Sequence, residues 1–333
     1  MTGEHTHPDL EERLAALEQG EPVPPDPSST TVRSIEELLE ASADDTYGEV
    51  ILADGPYEIA PARSLDPKRS LWYGGPRGGH DLARRTTPVR IRPESPWGAT
   101  LVGNGGSGPW LSIMEDAHLF RFEQLTFDYC PVDRDGIVKI GGDAGYAPAH
   151  HVELAETRIL ETCRGSCAGP DSPATEHAIY LAHAAGDGPH DITIEDADLD
   201  CRGGLAAGVH VYHSAPGAPG PHHITIARTR IRGAQQSVMI WDRTVHDLEL
   251  EAIESVDAMR WDLSYVNDTS GDGATEGTPY GIVVRGSHGS GVHAPGYHGG
   301  LYAPSGTEGL VDGGGNGAVL ELDRRHRTAP PQA

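Results

Sequence analysis

Lys139, Tyr180 and His210 stand at matching positions of a strand that recurs along the chain, so an amine, a phenol and an imidazole fall in one line. Side chains of these three types take and give protons in enzymes that work near neutral pH. Five segments carry the strand: GIVKI from 136, AIYLA from 178, GVHVY from 208, SVMIW from 237 and GIVVR from 281. Their alternation is the period of a pleated strand with one buried face. The inward residues are Val138, Ile179, Val209, Val238 and Ile282, followed by Ile140, Leu181, Val211, Ile240 and Val284. One outward row then reads Lys139, Tyr180, His210, Met239 and Val283, and the next reads Gly141, Ala182, Tyr212, Trp241 and Arg285. His177, His183, His213, Asp242 and Arg243 flank both rows.

These are the parts of a sugar site. A lyase acting on a uronic acid removes the proton at C5 and protonates the leaving oxygen, so two proton-transfer groups must flank the bound ring. A cation at the sugar carboxylate makes that C–H more acidic. Lys139, Tyr180, His210 and Arg243 are the candidate catalytic residues. Tyr212 and Trp241, as a stacking platform, with His177, His183, His213, Asp242 and Arg285, are the candidate substrate-binding residues. A competing explanation needs no ligand: large side chains ladder on exposed sheet faces because cross-strand contacts stabilise them.

Holding such residues in line requires a solenoid, and the sequence repeats like one. Between residues 117 and 256 one pattern occurs five times, as HLFRFEQLTF, HHVELAETRI, HDITIEDADL, HHITIARTRI and HDLELEAIES. Its first inward residues, Phe120, Val152, Ile192, Ile224 and Leu248, are spaced by 32, 40, 32 and 24. Seven residues after each of the first four comes Phe127, Ile159, Leu199 or Ile231, and in the fifth the position slips to Val256. With the separate strand above, each period holds three strands, which is the plan of an all-β, single-stranded, right-handed parallel β-helix. A coil of this kind buries its apolar face only by stacking on the next. A sandwich or propeller would need hairpin turns that are scarce here.

Upstream, residues 47 to 128 contain YGEVILADGPYEI, PVRIRPESPWGATLVGNG and WLSIMEDAHLFRFEQLTF. This resembles the opening of pectate-lyase-like β-helix proteins, especially the chondroitinase B and alginate lyase type. The resemblance implies an N-terminal helical cap, here SIEELLEAS at 34 to 42, over the open first coil. Uncapped, that coil would expose strand edges and core. The DGIVKIGG strand is similar to the DGxxxK strand of some pectate lyases, which implies Lys139 as the base. The Asp-rich calcium motif of such enzymes is not evident, nor is the paired Lys and Arg motif of the chondroitinase B type, so Ca2+ stays an option without a motif. GDGPHD at 186 to 191 is similar to the DPHD signature of alginate epimerases, yet it falls in a recurring turn and reads as structural.

Composition narrows the partners. The net charge is −25, and Lys68 and Lys139 are the two lysines among 25 basic residues. A surface so acidic is poorly suited to nucleic acid, where Lys and Arg neutralise phosphates. It matches proteins of salt-rich cytoplasm, although a high-GC genome would give the same Arg bias. No run is long and apolar enough to span a membrane, and the start lacks the pattern of a secretory signal. The expectation is a cytoplasmic protein, or one exported by another route such as a virus particle. Cys130, Cys163, Cys167 and Cys201 are too few for a disulfide scaffold, and the spacing of Cys163, Cys167, His177 and His183 fits no common zinc pattern.

The domain division is a polar, Pro-rich lead over 1–30, with LEERLAALEQG as a possible short helix, a β-helix over 31–322 and a tail over 323–333. The function expected is a polysaccharide lyase or C5 epimerase acting on an acidic polysaccharide. A non-catalytic glycan-binding or tail-spike protein is the alternative, and the lack of a coiled-coil stem favours a monomer over a trimer. A glycoside hydrolase is the weaker option, because it needs two carboxylates and Asp242 alone stands near the aromatic rows.

One further regularity concerns histidine. His118, His150, His190, His222 and His246 each stand two residues before a first inward residue, one per coil. Recurrence through loops of different length points to a ladder of imidazoles bonded to turn backbone, with metal binding along the row as the alternative.

Overall fold

The computed structural model describes residues 28–64, 66, 68–74, 85–104, 108–132, 135–142, 147–160, 176–183, 186–202, 205–213, 218–241, 244–266, 281–294, 299–303 and 309–317. Within them the chain winds as a right-handed parallel β-helix with three faces: one ten-stranded and two eight-stranded sheets, in which each strand pairs in parallel with its counterpart one coil away. One complete coil runs from His118–Glu123 on the first face, through Thr126–Asp128 on the second, to Asp135–Gly142 on the third. The next coil starts at His150–Ala155, paired in register with His118–Glu123. Residues 1–27 of the polar lead and the tail lie outside the described residues, as do Cys163 and Cys167, while the last three residues of the lead open the strand Ser28–Val32, which pairs with Tyr47–Leu52 on the first face.

The inward rows stack as the alternation predicts. On the first face Phe120, Val152, Ile192, Ile224 and Leu248 lie in register, and on the third face Val138, Ile179, Val209 and Val238 do so. All are buried in one continuous core. Each such side chain contributes roughly 1.5–3 kcal/mol on leaving water, and it finds that environment only between coils.

The helix Ile35–Ala43 closes the first end, burying Ile35, Leu38 and Leu39. Ser34 caps it by accepting from the Glu37 amide at 3.1 Å. Arg85, itself buried, donates to the carbonyls of Thr87, Ser42, Asp44 and Tyr47 and ties the cap to the first coils.

Two corrections follow from the register. GIVVR is not a third-face strand: Ile282–Arg285 pairs with His246–Glu251 on the first face, and Arg285 forms an ion pair with Glu249. Its place on the third face is taken by Trp261–Val266, which pairs with Gln236–Trp241. Both segments alternate, so the pattern alone does not choose between them; the pairing of Leu263 and Tyr265 with Val238 and Ile240 does. In the fifth coil the inward residue is Ser255, in register with Ile231, rather than Val256. Ser255 is buried and bonds to Ser237 at 2.7 Å and to Asp262, so a small polar cluster replaces the apolar stack there.

The coil corners explain the histidine regularity. The five rings stack in order, with centroid separations of 4.6, 5.1, 5.0 and 4.8 Å from His118 to His246. Nδ1–H of His118, His222 and His246 donates to the carbonyl two residues back, at 2.6, 2.8 and 2.9 Å. The residue after each ladder histidine, namely Leu119, His151, Asp191, His223 and Asp247, has φ between 49° and 64°. That left-handed conformation costs on the order of 1 kcal/mol outside glycine, and the corner bonds offset it.

Candidate active site

The third face has its own outward row, longer than the sequence suggested. Trp72, Ser112, Lys139, Tyr180, His210, Met239, Ser264 and Tyr302 are in register on eight successive strands. Neighbouring members are about 4.8 Å apart along the sheet. Tyr212 and Trp241 follow in the next outward row, and His177 precedes on the other side.

The structure gathers Lys139, Tyr180, His210, His177, Tyr212 and Trp241 into one cluster. The Tyr180 ring stacks on His210 at 5.1 Å, His177 lies 4.8 Å from Tyr180, and Trp241 meets His210 edge-on at 5.6 Å. Lys139 Nζ lies 5.9 Å from the Tyr180 centroid and 3.2 Å from Asp135 Oδ1, and Arg63 pairs with the same carboxylate. The Lys139 amine is thus held by an ion pair with Asp135 beside the Tyr180 ring. Trp241 is the open part of the cluster, 41% exposed; Lys139, Tyr180 and Tyr212 are half-buried.

Two histidines form the centre. His210 Nδ1 and His177 Nε2 are 2.9 Å apart, and both rings are buried. Burial pushes the His177 imidazole down to about 3 and His210 well below the usual histidine range, the second helped by the first. Both are neutral at pH 7, so one proton lies between them. Whichever ring holds it, the outer nitrogens, His177 Nδ1 and His210 Nε2, must offer one N–H and one lone pair. Neither has a partner.

The same want of partners runs along the row. Trp72 Nε1, Ser112 Oγ and Ser264 Oγ are buried and unpartnered too. A buried polar group left unmatched costs about 1–3 kcal/mol. Elsewhere among the described residues, Thr157 Oγ1 and Arg232 Nε are isolated cases. On the third face Trp72, Ser112, His210 and Ser264 belong to one row, with His177 beside it. Burial and desolvation also push the Tyr180 phenol up, with Asp135 and Tyr212 adding to the effect, so it stays protonated.

Other sequence candidates lie elsewhere. His183 and His213 are buried at the far end of the strands. His213 contacts Thr244 Oγ1 at 2.9 Å and donates to the Gly186 carbonyl at 2.8 Å, while His183 Nδ1 donates to the Asp187 carbonyl. They hold turns, not the open cluster. Arg285 is on the first face, as described above, and Asp242 and Arg243 lie outside the described residues. Sequence reasoning missed Trp72, Ser112 and Ser264, because these sit in strands whose period was not recognised.

No family model matches the chain, and no curated relative does. Among solved structures it is similar to the A-module of the Azotobacter vinelandii mannuronan C-5 epimerase AlgE4, at 13% identity and a TM-score of 0.35, over 85% of this chain and 89% of that one. It is similar to an alginate lyase from Paenibacillus sp. str. FPU-7 at 12% identity and a TM-score of 0.30, over 86% and 96%. A GH87 α-1,3-glucanase catalytic domain gives 12% and 0.29, over 89% and 70%. At these values no residue is carried from one chain to another. The class defined by the three parallel sheets is the right-handed parallel β-helix.

Proposed function

We propose that the chain is a carbohydrate-active enzyme whose third face binds an acidic polysaccharide and abstracts a proton from it, as a lyase or C5 epimerase. The observation that carries this reading is the neutral His177–His210 pair with unpartnered outer nitrogens, set among Lys139, Tyr180 and Trp241. Trp241 and Tyr212 give a sugar ring an aromatic face. In this reading Lys139, paired with Asp135, meets the uronate carboxylate, and the base is the histidine pair.

The outer nitrogens are closed to solvent in the free protein, so the substrate must displace the side chains over them before the pair acts as a relay. One outer nitrogen takes the C5 proton while the shared proton moves across and the other outer N–H is released, so base and acid work without a lasting buried charge. In elimination the C–H electron pair forms a C4–C5 double bond, the C4–O bond breaks and the leaving oxygen takes a proton from Tyr180 or the pair. In epimerisation the proton returns to C5 from the opposite face. Incubation with pectate, alginate and glycosaminoglycans should give unsaturated products absorbing in the near ultraviolet, or inverted C5 centres by NMR. Absence of both with every polymer would overturn the reading.

A further inference from the structure

The histidine ladder has one rung unlike the rest. At its start, Asp116, His118 and His150 each bring a ligand atom within 4.8 Å of the other two, the single such group of three among the described residues. Asp116 and His118 belong to one coil and His150 to the next, so the group bridges a coil interface. His150 Nε2 is 3.3 Å from Asp116 Oδ1, and the two imidazoles stack at 4.6 Å with their planes 7° apart.

The tautomer of His118 is fixed by the corner, whereas His150 Nε2 donates to the Asp116 carboxylate, with Nδ1 2.7 Å from His151 Nδ1, and gives up that proton when an ion takes its place. A carbonyl only accepts, so the 2.6 Å contact from His118 Nδ1 to the Asp116 carbonyl puts the proton on Nδ1 and leaves the lone pair on Nε2. Metal-binding histidines are held in this way, one ring nitrogen donating to a carbonyl while the other faces the ion. The side chains are accessible: Asp116 is 49% exposed, with His118 at 19% and His150 at 22%.

We propose that Asp116, His118 and His150 form a binding site for a divalent transition-metal ion of the zinc class, clamping two successive coils at the corner between the third and first faces. Two imidazoles and one carboxylate suit such ions better than Ca2+ or Mg2+, which take oxygen ligands. Zinc–ligand bonds of about 2.0–2.2 Å require the three atoms to close from their present spread by about an ångström, a movement that partly exposed side chains make by rotation. Three protein ligands leave a fourth position for water. The site is distinct from the third-face cluster and does not depend on the activity proposed for it.

The test is titration of the full-length, metal-stripped protein with Zn2+ by calorimetry and with Co2+ by visible absorption, alongside melting temperature. One equivalent should bind tightly and raise the melting temperature. His150→Ala and Asp116→Asn should each weaken binding at least tenfold and abolish the thermal shift, whereas His246→Ala, at the far end of the ladder, should leave both unchanged. Asp116→Asn alters an exposed carboxylate, so it reports on binding even if His150→Ala fails to fold. The proposal is overturned if neither ion binds, if the Asp116 and His150 variants bind as the wild type does, or if Co2+ gives an intense near-ultraviolet thiolate band, which would place the ion on cysteine.

Discussion

The first and third faces share one pleat, one strand order and one core, yet their outward residues behave oppositely. On the first face Arg92 pairs with Glu49 at 2.8 Å, Arg90 with Glu49 at 3.3 Å and with Glu123, and Arg121 lies among Glu123, Glu153 and Glu195. Charge there is matched along the row, coil to coil. On the third face the row carries rings, a cation and buried polar atoms without partners. A face whose groups satisfy one another has little to offer a ligand. One that leaves donors and acceptors in line is poised to exchange their cost for contacts with a polar molecule.

Breaking the third face should therefore cost function first. His210→Asn or Lys139→Ala is expected to lower kcat/KM by about 10²–10⁴, whereas Arg121→Ala on the first face should change it less than about twofold. Steady-state kinetics on the polymer turned over best would check this, with circular dichroism confirming the fold.

Removal of the platform should cost less. Trp241→Ala is expected to weaken binding of an oligosaccharide several-fold, on the order of 1 kcal/mol for a lost stacking contact, with little change in kcat. Calorimetric titration would decide it. Unchanged affinity would make Trp241 a sheet-face aromatic and nothing more.

Acid should separate the faces by stability. His177 and His210 are neutral when folded, with His177 near 3, and the unfolded chain titrates at about 6.5. Below that value the unfolded state binds protons that the folded state refuses, so stability falls as pH drops from about 6.5 and is unaffected above it. The loss is about 1.4 kcal/mol per pH unit for each fully buried imidazole. The more exposed ladder rings His150 and His222, also held below the usual range by burial first, contribute in the same direction but less. Melting curves between pH 7.5 and 5.5 should be less pH-dependent in His210→Met than in wild type, and His222→Asn should flatten them less.

The smallest effect belongs to the first face. Arg121→Ala removes exposed ion pairs worth about 0.2–1 kcal/mol each, and the loss should shrink at high salt. Denaturant titrations at two salt concentrations would measure it.

The sequence made the coil legible because stacking demands identical spacing of inward residues, and five coils meet that demand. It made Lys139, Tyr180, His210, Tyr212 and Trp241 legible for the same reason, since outward rows inherit the register of the inward ones. It misassigned Arg285 because GIVVR and WDLSYV both alternate, and only the pairing between coils tells which one continues the third face. The bond between His177 and His210 was beyond reach: it depends on ring orientations across two coils, which no spacing encodes. So was the contact of Asp135, four residues before Lys139, with the Lys139 amine.

The most direct test of the central claim watches the histidines themselves. With ring nitrogens labelled, an oligouronate is titrated into the protein and followed by NMR. The account predicts large shifts at His177 and His210, whose free nitrogens gain partners, and none at His118, His150, His190, His222 or His246. Shifts confined to the ladder, with His177 and His210 unmoved, would contradict it.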